Sequence, residues 1–240
     1  MRSLPSLAAC TLLAALGAAQ AAAGAPRHFE VLTAQEMQPE LLLAPPPAAQ
    51  SAQAAAELAE LQAIARTTTP AAWAQAKWDN DHEDATIFQS AIGPGFDLAR
   101  LPLTAKLLGE VRNEEAVAAT LAKNRFKRTR PWIIDPSLRT CSRDEDPQSS
   151  FPSGHTTMAF AMAVVLAHVA PEWAPRLMDR ARGYGQERMV CGMHFRSDVV
   201  AGEALGTSVA VLLLRDPGID AQVAASRAEL QAAHLLAAPS

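Results

Sequence analysis

No stretch of this chain reads as a β-strand. Nowhere do four to eight β-branched residues alternate with polar ones, so a sheet has nothing to be built from. No internal repeat is present. Long basic tracts are missing too, and the formal net charge is −4, which argues against nucleic acid as a partner. In the body of the chain the most apolar segments, Ala161 to Ala170 and Val209 to Leu214, fall short of the roughly 20 residues a bilayer-crossing helix needs, so no membrane span is expected there. The six histidines never stand at ligand spacing with nearby cysteine or paired carboxylates, and no metal or other cofactor is implied. The acidic run from Asp79 to Asp84 lacks the glycine and the spaced ligands of a calcium loop and reads as a solvated helix end.

Cysteine is scarce, and its placement is informative. Met1-Arg2 leads into a charge-free apolar stretch, Leu7 to Ala23, followed by small residues at cleavage-site spacing (Ala21/Ala23 or Ala23/Ala25) and Pro26-Arg27. Residues 1–23 therefore read as a secretory signal, too short and wrongly flanked for a membrane span. Leu7-Ala8-Ala9-Cys10 imitates a lipoprotein box, but most of the apolar segment follows it instead of preceding it. Removal of the signal takes Arg2 and Cys10 and leaves a net charge of −5. Export to the periplasm is expected, and Cys141 and Cys191 remain as an even pair in an oxidising compartment. If bridged, they close a loop of about 50 residues worth roughly 4 kcal/mol on the chain-entropy model; the alternative is two buried thiols.

What is present is helical pattern. Residues 24–48 are read as an irregular N-terminal segment ending in Leu41-Leu42-Leu43-Ala44-Pro45-Pro46-Pro47, a stiff connector. Helices are predicted at about 51–65, 70–80, 103–125 (with a break near Arg112-Asn113), 154–169, 173–191, 195–214 and 219–236. Residues 126–152, with four prolines and many polar residues, read as a loop long enough to suggest function. The fold class is all-α, a compact single-domain helical bundle over residues 49–240. A homo-oligomer packed through the Ala-rich terminal helices is compatible with this pattern.

Three fragments carry chemistry. In Pro152-Ser153-Gly154-His155, Ser153 is a favoured N-cap and Gly154 leaves room for a ligand to reach the backbone. The free N–H groups and positive end of the helix make an anion site, with His155 in the first turn; the plain alternative is an ordinary cap with a surface histidine. Arg188 continues the face of Leu177, Ala181 and Tyr184 and should point inward. His194 and Asp198 stand four apart, so the carboxylate can hold one ring N–H and leave the other nitrogen nucleophilic; a surface His/Asp pair is the bland counterpart. Lys123 and Arg130 bracket a basic stretch whose Arg125, Lys127 and Arg128 are read as solvated. Arginine offers a planar fork matched to phosphate oxygens, and lysine a point charge. His28, His82 and His234 read as exposed, and His168, on an apolar helix, as a core residue.

In this order (Lys, six residues, Arg-Pro; Pro-Ser-Gly-His; Arg, five residues, His, three residues, Asp) the fragments are similar to the signature of the type 2 phosphatidate phosphatase superfamily. With the secretion signal, the Leu-Leu-Leu-Ala-Pro-Pro-Pro stretch and Cys191-Gly192-Met193-His194-Phe195-Arg196-Ser197-Asp198, the chain most resembles a class A bacterial non-specific acid phosphatase from about residue 36 to 215. The resemblance implies that Lys123, Arg130, Arg188, Ser153 and the Gly154 N–H hold phosphate, that His194 attacks phosphorus, that Asp198 orients it, and that His155 protonates the leaving alcohol. Small phosphate monoesters would be the substrates, with transfer to other alcohols as a side reaction. The family usually has Ser just before the last arginine of the motif; here Glu187 stands there and is expected to face solvent. Vanadium haloperoxidases use a similar constellation, and an inactive phosphate-binding protein is a reading from another class.

Overall fold

The computed structural model describes residues 27–236. The segment expected to be a secretory signal, residues 1–23, lies outside them. Among the described residues there is no strand, and seven helices have twelve or more residues: α1 (Ala52–Thr67), α2 (Pro70–Asp81), α3 (Pro102–Phe126), α4 (Gly154–Val169), α5 (Ala174–Val190), α6 (Arg196–Leu213) and α7 (Pro217–Ala232). The fold is an all-α bundle. Several starts are written in the sequence: Ser51, Thr69, Ser153 and Asp216 each cap a helix by accepting a backbone N–H in the first turn, and Pro70, Pro102 and Pro217 occupy the first helical position.

Helix α4 is the axis of the molecule. Nearly every residue from Gly154 to Val169 is buried, and α3, α5, α6 and α7 pack around it. α6 approaches so closely that side chains are excluded: a methyl group at Gly206 would stand 2.3 Å from the Thr157 carbonyl oxygen, and one at Gly202 would stand 2.7 Å from that of Ser153. This contact sets the start of α4 directly against the start of α6, which carries Asp198 just after His194. No single helix among the described residues is long and apolar enough to cross a membrane.

Three expectations change. Helix α3 runs unbroken through Arg112 and Asn113. Both side chains find partners, Arg112 on Glu115 and Glu83 and Asn113 on the His28 carbonyl, so the polar pair gives the helix no reason to end. The segment expected to be irregular contains a single turn, Pro39–Leu42, and the loop after α3 contains another, Pro131–Ile134. His168 is exposed, because the last turn of α4 emerges from the core. The N-terminal segment is pinned by buried Glu114, whose carboxylate accepts the backbone N–H groups of Glu30 (2.7 Å) and Leu32 (2.9 Å).

Cys141 and Cys191 are bridged, with Cα atoms 5.0 Å apart. The bond ties the loop between α3 and α4 to the end of α5, one turn from Arg188 and three residues from His194. Gly192, with φ of +63°, turns the chain there; a side chain would stand 2.6 Å from the Arg139 carbonyl oxygen.

Candidate active site

The capped start of α4 is the floor of the site. Ser153 accepts the Thr156 N–H, and its own N–H donates to the Asp198 carbonyl oxygen at 2.9 Å. Of the first-turn amides, that of Thr156 donates to Ser153 Oγ, and those of Gly154 and His155 have no helical carbonyl to reach. A methyl group on Gly154 would stand 3.4 Å from Lys123 Nζ and 3.8 Å from Glu83 Oε1. Glycine thus leaves the floor open where a lysine and a carboxylate meet.

Two buried arginines form the walls. Arg130, at the end of the basic stretch, donates to the carbonyls of Asp146 (3.0 Å), Met193 (3.1 Å) and Ser149 (3.1 Å), and its Nη1 lies 3.3 Å from His194 Nε2. Arg188 points inward from α5 and donates from Nη1 to Asn80 Oδ1 at 2.9 Å. Its Nε and Nη2 are buried without a hydrogen-bond partner. A buried, half-satisfied guanidinium is expensive unless an anion is meant to complete it. Burial lowers the pKa of Lys123, Arg130 and Arg188; the two arginines add to the effect at Lys123, and Arg188 adds to it at Arg130. The arrangement therefore favours an incoming negative charge.

Between these cations sits His194. Its Nδ1–H donates to the Ser150 carbonyl oxygen at 2.7 Å, which fixes the tautomer and leaves the Nε2 lone pair toward the arginines. Burial, followed by the charges of Arg130, Arg188 and Lys123, depresses its pKa well below the usual histidine value and so favours the neutral ring. Asp198 Oδ2 stands 3.7 Å from Nδ1, beyond hydrogen-bond reach. It accepts instead from Ser150 Oγ (2.6 Å), the Phe195 N–H (2.8 Å) and Arg128 (2.6 Å). The aspartate holds the residue whose carbonyl holds the histidine. Burial raises its pKa to about 6 against the opposing pull of Arg128.

His155 faces the site from the other side. Nε2 lies 3.2 Å from the Asn80 carbonyl oxygen and Nδ1 3.3 Å from Glu83 Oε1, with Tyr184 stacked on the ring. Two oxygens on opposite edges suit an imidazolium, but burial and the nearby Arg188 lower the pKa well below its usual value in the free protein.

The structure thus brings Lys123, Arg130, Ser153, Gly154, His155, Arg188 and His194 around one volume, with Asp198 behind it. Several residues read as bystanders also belong there. The end of α2 is not a solvated run: Asp79 is buried in a bidentate pair with Arg180 (2.7 and 2.9 Å), Asn80 engages both Arg188 and His155, and Tyr184 donates to the His82 carbonyl. His82 is half-buried and stacks on Trp78. Arg128 is not solvated either; it binds Asp198, Glu57 and Ser197 over the Phe195 ring, because a fully buried aspartate needs a counter-charge. Glu187 does not face solvent. It is half-buried beside Asp79, its Oε2 lacks a partner, and burial raises its pKa to about 7. No local signal marks Asp79 or Arg128, because their partners Arg180 and Asp198 stand 101 and 70 residues away along the chain.

The chain is 31% identical over 201 residues to an acid phosphatase of Zymomonas mobilis subsp. mobilis, a match that covers 81% of this chain and 76% of the relative. The PAP2 superfamily pattern matches residues 107–219. The chain belongs to the PAP2 superfamily, alongside bacterial acid phosphatases. Phosphatase activity goes with that membership. The non-specific acid phosphatase of Salmonella typhi is 34% identical over 167 residues, 66% of either chain. Two solved structures share the fold: Aquifex aeolicus LpxE (TM-score 0.54, 24% identity, 66% of this chain and 94% of that one) and the transmembrane PAP2 type phosphatidylglycerolphosphate phosphatase of Bacillus subtilis (TM-score 0.53, 18% identity, 68% and 86%). The PAP2 match includes every catalytic and phosphate-binding residue named from the sequence, from Lys123 to Asp198.

Proposed function

We propose that this PAP2 protein is an exported, periplasmic acid phosphatase that hydrolyses small phosphate monoesters with broad specificity through a phosphohistidine at His194. The observation that carries the reading is the His194 imidazole, held through Nδ1 on the Ser150 carbonyl with Nε2 toward Arg130, set among half-buried Lys123 and two buried arginines, one of which, Arg188, has two unsatisfied donors. In the first displacement the Nε2 lone pair attacks phosphorus, the bond to the leaving oxygen breaks, and His155 gives that oxygen its proton. In the second, water attacks phosphorus, His155 takes back a proton, and the P–N bond breaks to release phosphate. Lys123, Arg130, Arg188 and the first-turn amides of α4 compensate charge on the three equatorial oxygens in both steps. Using one cradle twice is what the covalent route gains. An alcohol in place of water would give phosphotransfer.

A bound phosphate dianion offsets the repulsion that lowers the His155 pKa, so substrate itself favours the protonated acid facing Glu83 and Asn80. General acid help of this kind typically contributes about 10²–10⁴ in rate. Purified protein should release p-nitrophenol from p-nitrophenyl phosphate with an optimum on the acid side of neutrality and in the presence of chelator. Absence of turnover across pH 4–8 would reject the reading.

A further inference from the structure

The loop between α3 and α4 carries a carboxylate to the place where substrate oxygens belong. Glu145 contacts Arg130 Nη2 with one oxygen, and its other oxygen lies 3.9 Å from Arg188 Nη2. Both arginines are fully buried, whereas Glu145 is one-third exposed. Its negative charge favours the protonated forms of Lys123, Arg130 and Arg188 alike. A carboxylate bridging two guanidinium groups presents two oxygens much as a phosphoryl group does.

We infer that Glu145 is a built-in surrogate for phosphate, seated between Arg130 and Arg188 in the free enzyme and displaced when substrate binds, so that it sets the affinity of the site for phosphate and its esters. The inference rests on the phosphatase reading of the cradle. The loop allows the exchange without unfolding. Arg130 keeps the Asp146, Ser149 and Met193 carbonyls when the side chain leaves, and the Cys141–Cys191 bridge anchors the loop on the other side. Only the Glu145 side chain has to swing toward the solvent it already touches. A site occupied by its own carboxylate binds an external anion more weakly by the fraction of molecules left open.

The test is inhibition of p-nitrophenyl phosphate hydrolysis by inorganic phosphate in Glu145→Gln, which keeps the shape and removes the charge, with Glu145→Ala as the second variant. If Glu145 is engaged in about nine molecules of ten, the Ki for phosphate should fall about tenfold, and KM should fall with it. Asp144→Asn removes the same charge from an exposed neighbour and should change Ki by less than about twofold. An unchanged or raised Ki in both Glu145 variants overturns the inference, as does equal tightening in Asp144→Asn. Wild-type protein that neither turns over the ester nor is inhibited by phosphate refutes the phosphatase reading itself, a different result from active wild type with unresponsive Glu145 variants.

Discussion

The Nδ1–H of His194 donates to the Ser150 carbonyl at 2.7 Å. A backbone carbonyl cannot be mutated away, so the tautomer of His194 is set by the chain itself and not by a side chain. Asp198 acts one step removed, through Ser150 Oγ and the Phe195 N–H.

Asp198→Ala should therefore damage stability as well as rate. It leaves Arg128 with Glu57 as its only carboxylate and removes the acceptor of three hydrogen bonds, and breaking a buried pair of this kind costs about 3–5 kcal/mol. Ser150→Ala keeps the carbonyl and should cost about 1–2 kcal/mol with a smaller fall in kcat. Denaturant melts beside kcat measurements decide it. A large rate loss in Ser150→Ala at unchanged stability would mean that the hydroxyl has a direct chemical role.

Arg188→Met should separate stability from activity. In the free protein Arg188 is a buried cation with two orphaned donors, and replacing it by an apolar side chain of similar length removes that desolvation penalty. The melting temperature of the ligand-free variant should equal or exceed that of wild type, while kcat/KM falls by about 10³-fold, as for loss of a principal oxyanion donor. Inorganic phosphate should raise the wild-type melting temperature and leave the variant unmoved. A clear destabilisation of the free variant would show that Arg188 is structural.

The pH profile has a signed expectation. His155 must be protonated to act as acid, and its pKa is depressed in the free enzyme. The alkaline limb of kcat/KM, which reports free enzyme, should lie on the acid side of ordinary histidine, about pH 6.5. The limb of kcat should lie at higher pH, because bound phosphate offsets Arg188 and Lys123. Coincident limbs would remove the argument for substrate-assisted protonation.

Much of the fold was legible. Helix starts were visible because caps and prolines act locally, and Ser153 at the head of α4 is the clearest case. The lysine, arginines and histidines of the site were legible through their spacing. What the sequence hid were partners that only tertiary packing supplies. Asp79, Asn80 and Glu83 look like a polar helix end until α5 is laid across them, and the identity of Ser150 gives no hint that its carbonyl receives the His194 proton.

Glu187 tests that hidden packing. Its pKa of about 7 lies above that of an unfolded glutamate, so the folded state holds a proton that the unfolded state has released. The burial penalty is absent below about pH 4.3 and grows as pH rises through 7. Glu187→Gln should therefore raise the melting temperature more at pH 8 than at pH 5, with little effect on KM, since the side chain faces Asp79 and Arg180. An equal shift at both pH values would place Glu187 in solvent after all.

The covalent route itself is tested most directly by a short pulse of ³²P-labelled monoester, quenched in alkali and followed by peptide mapping. Acid-labile, alkali-stable label on the peptide containing His194, absent from His194→Ala, is the expected result. Steady turnover with no label at His194 in wild type, or ordinary turnover in His194→Ala, would contradict the account.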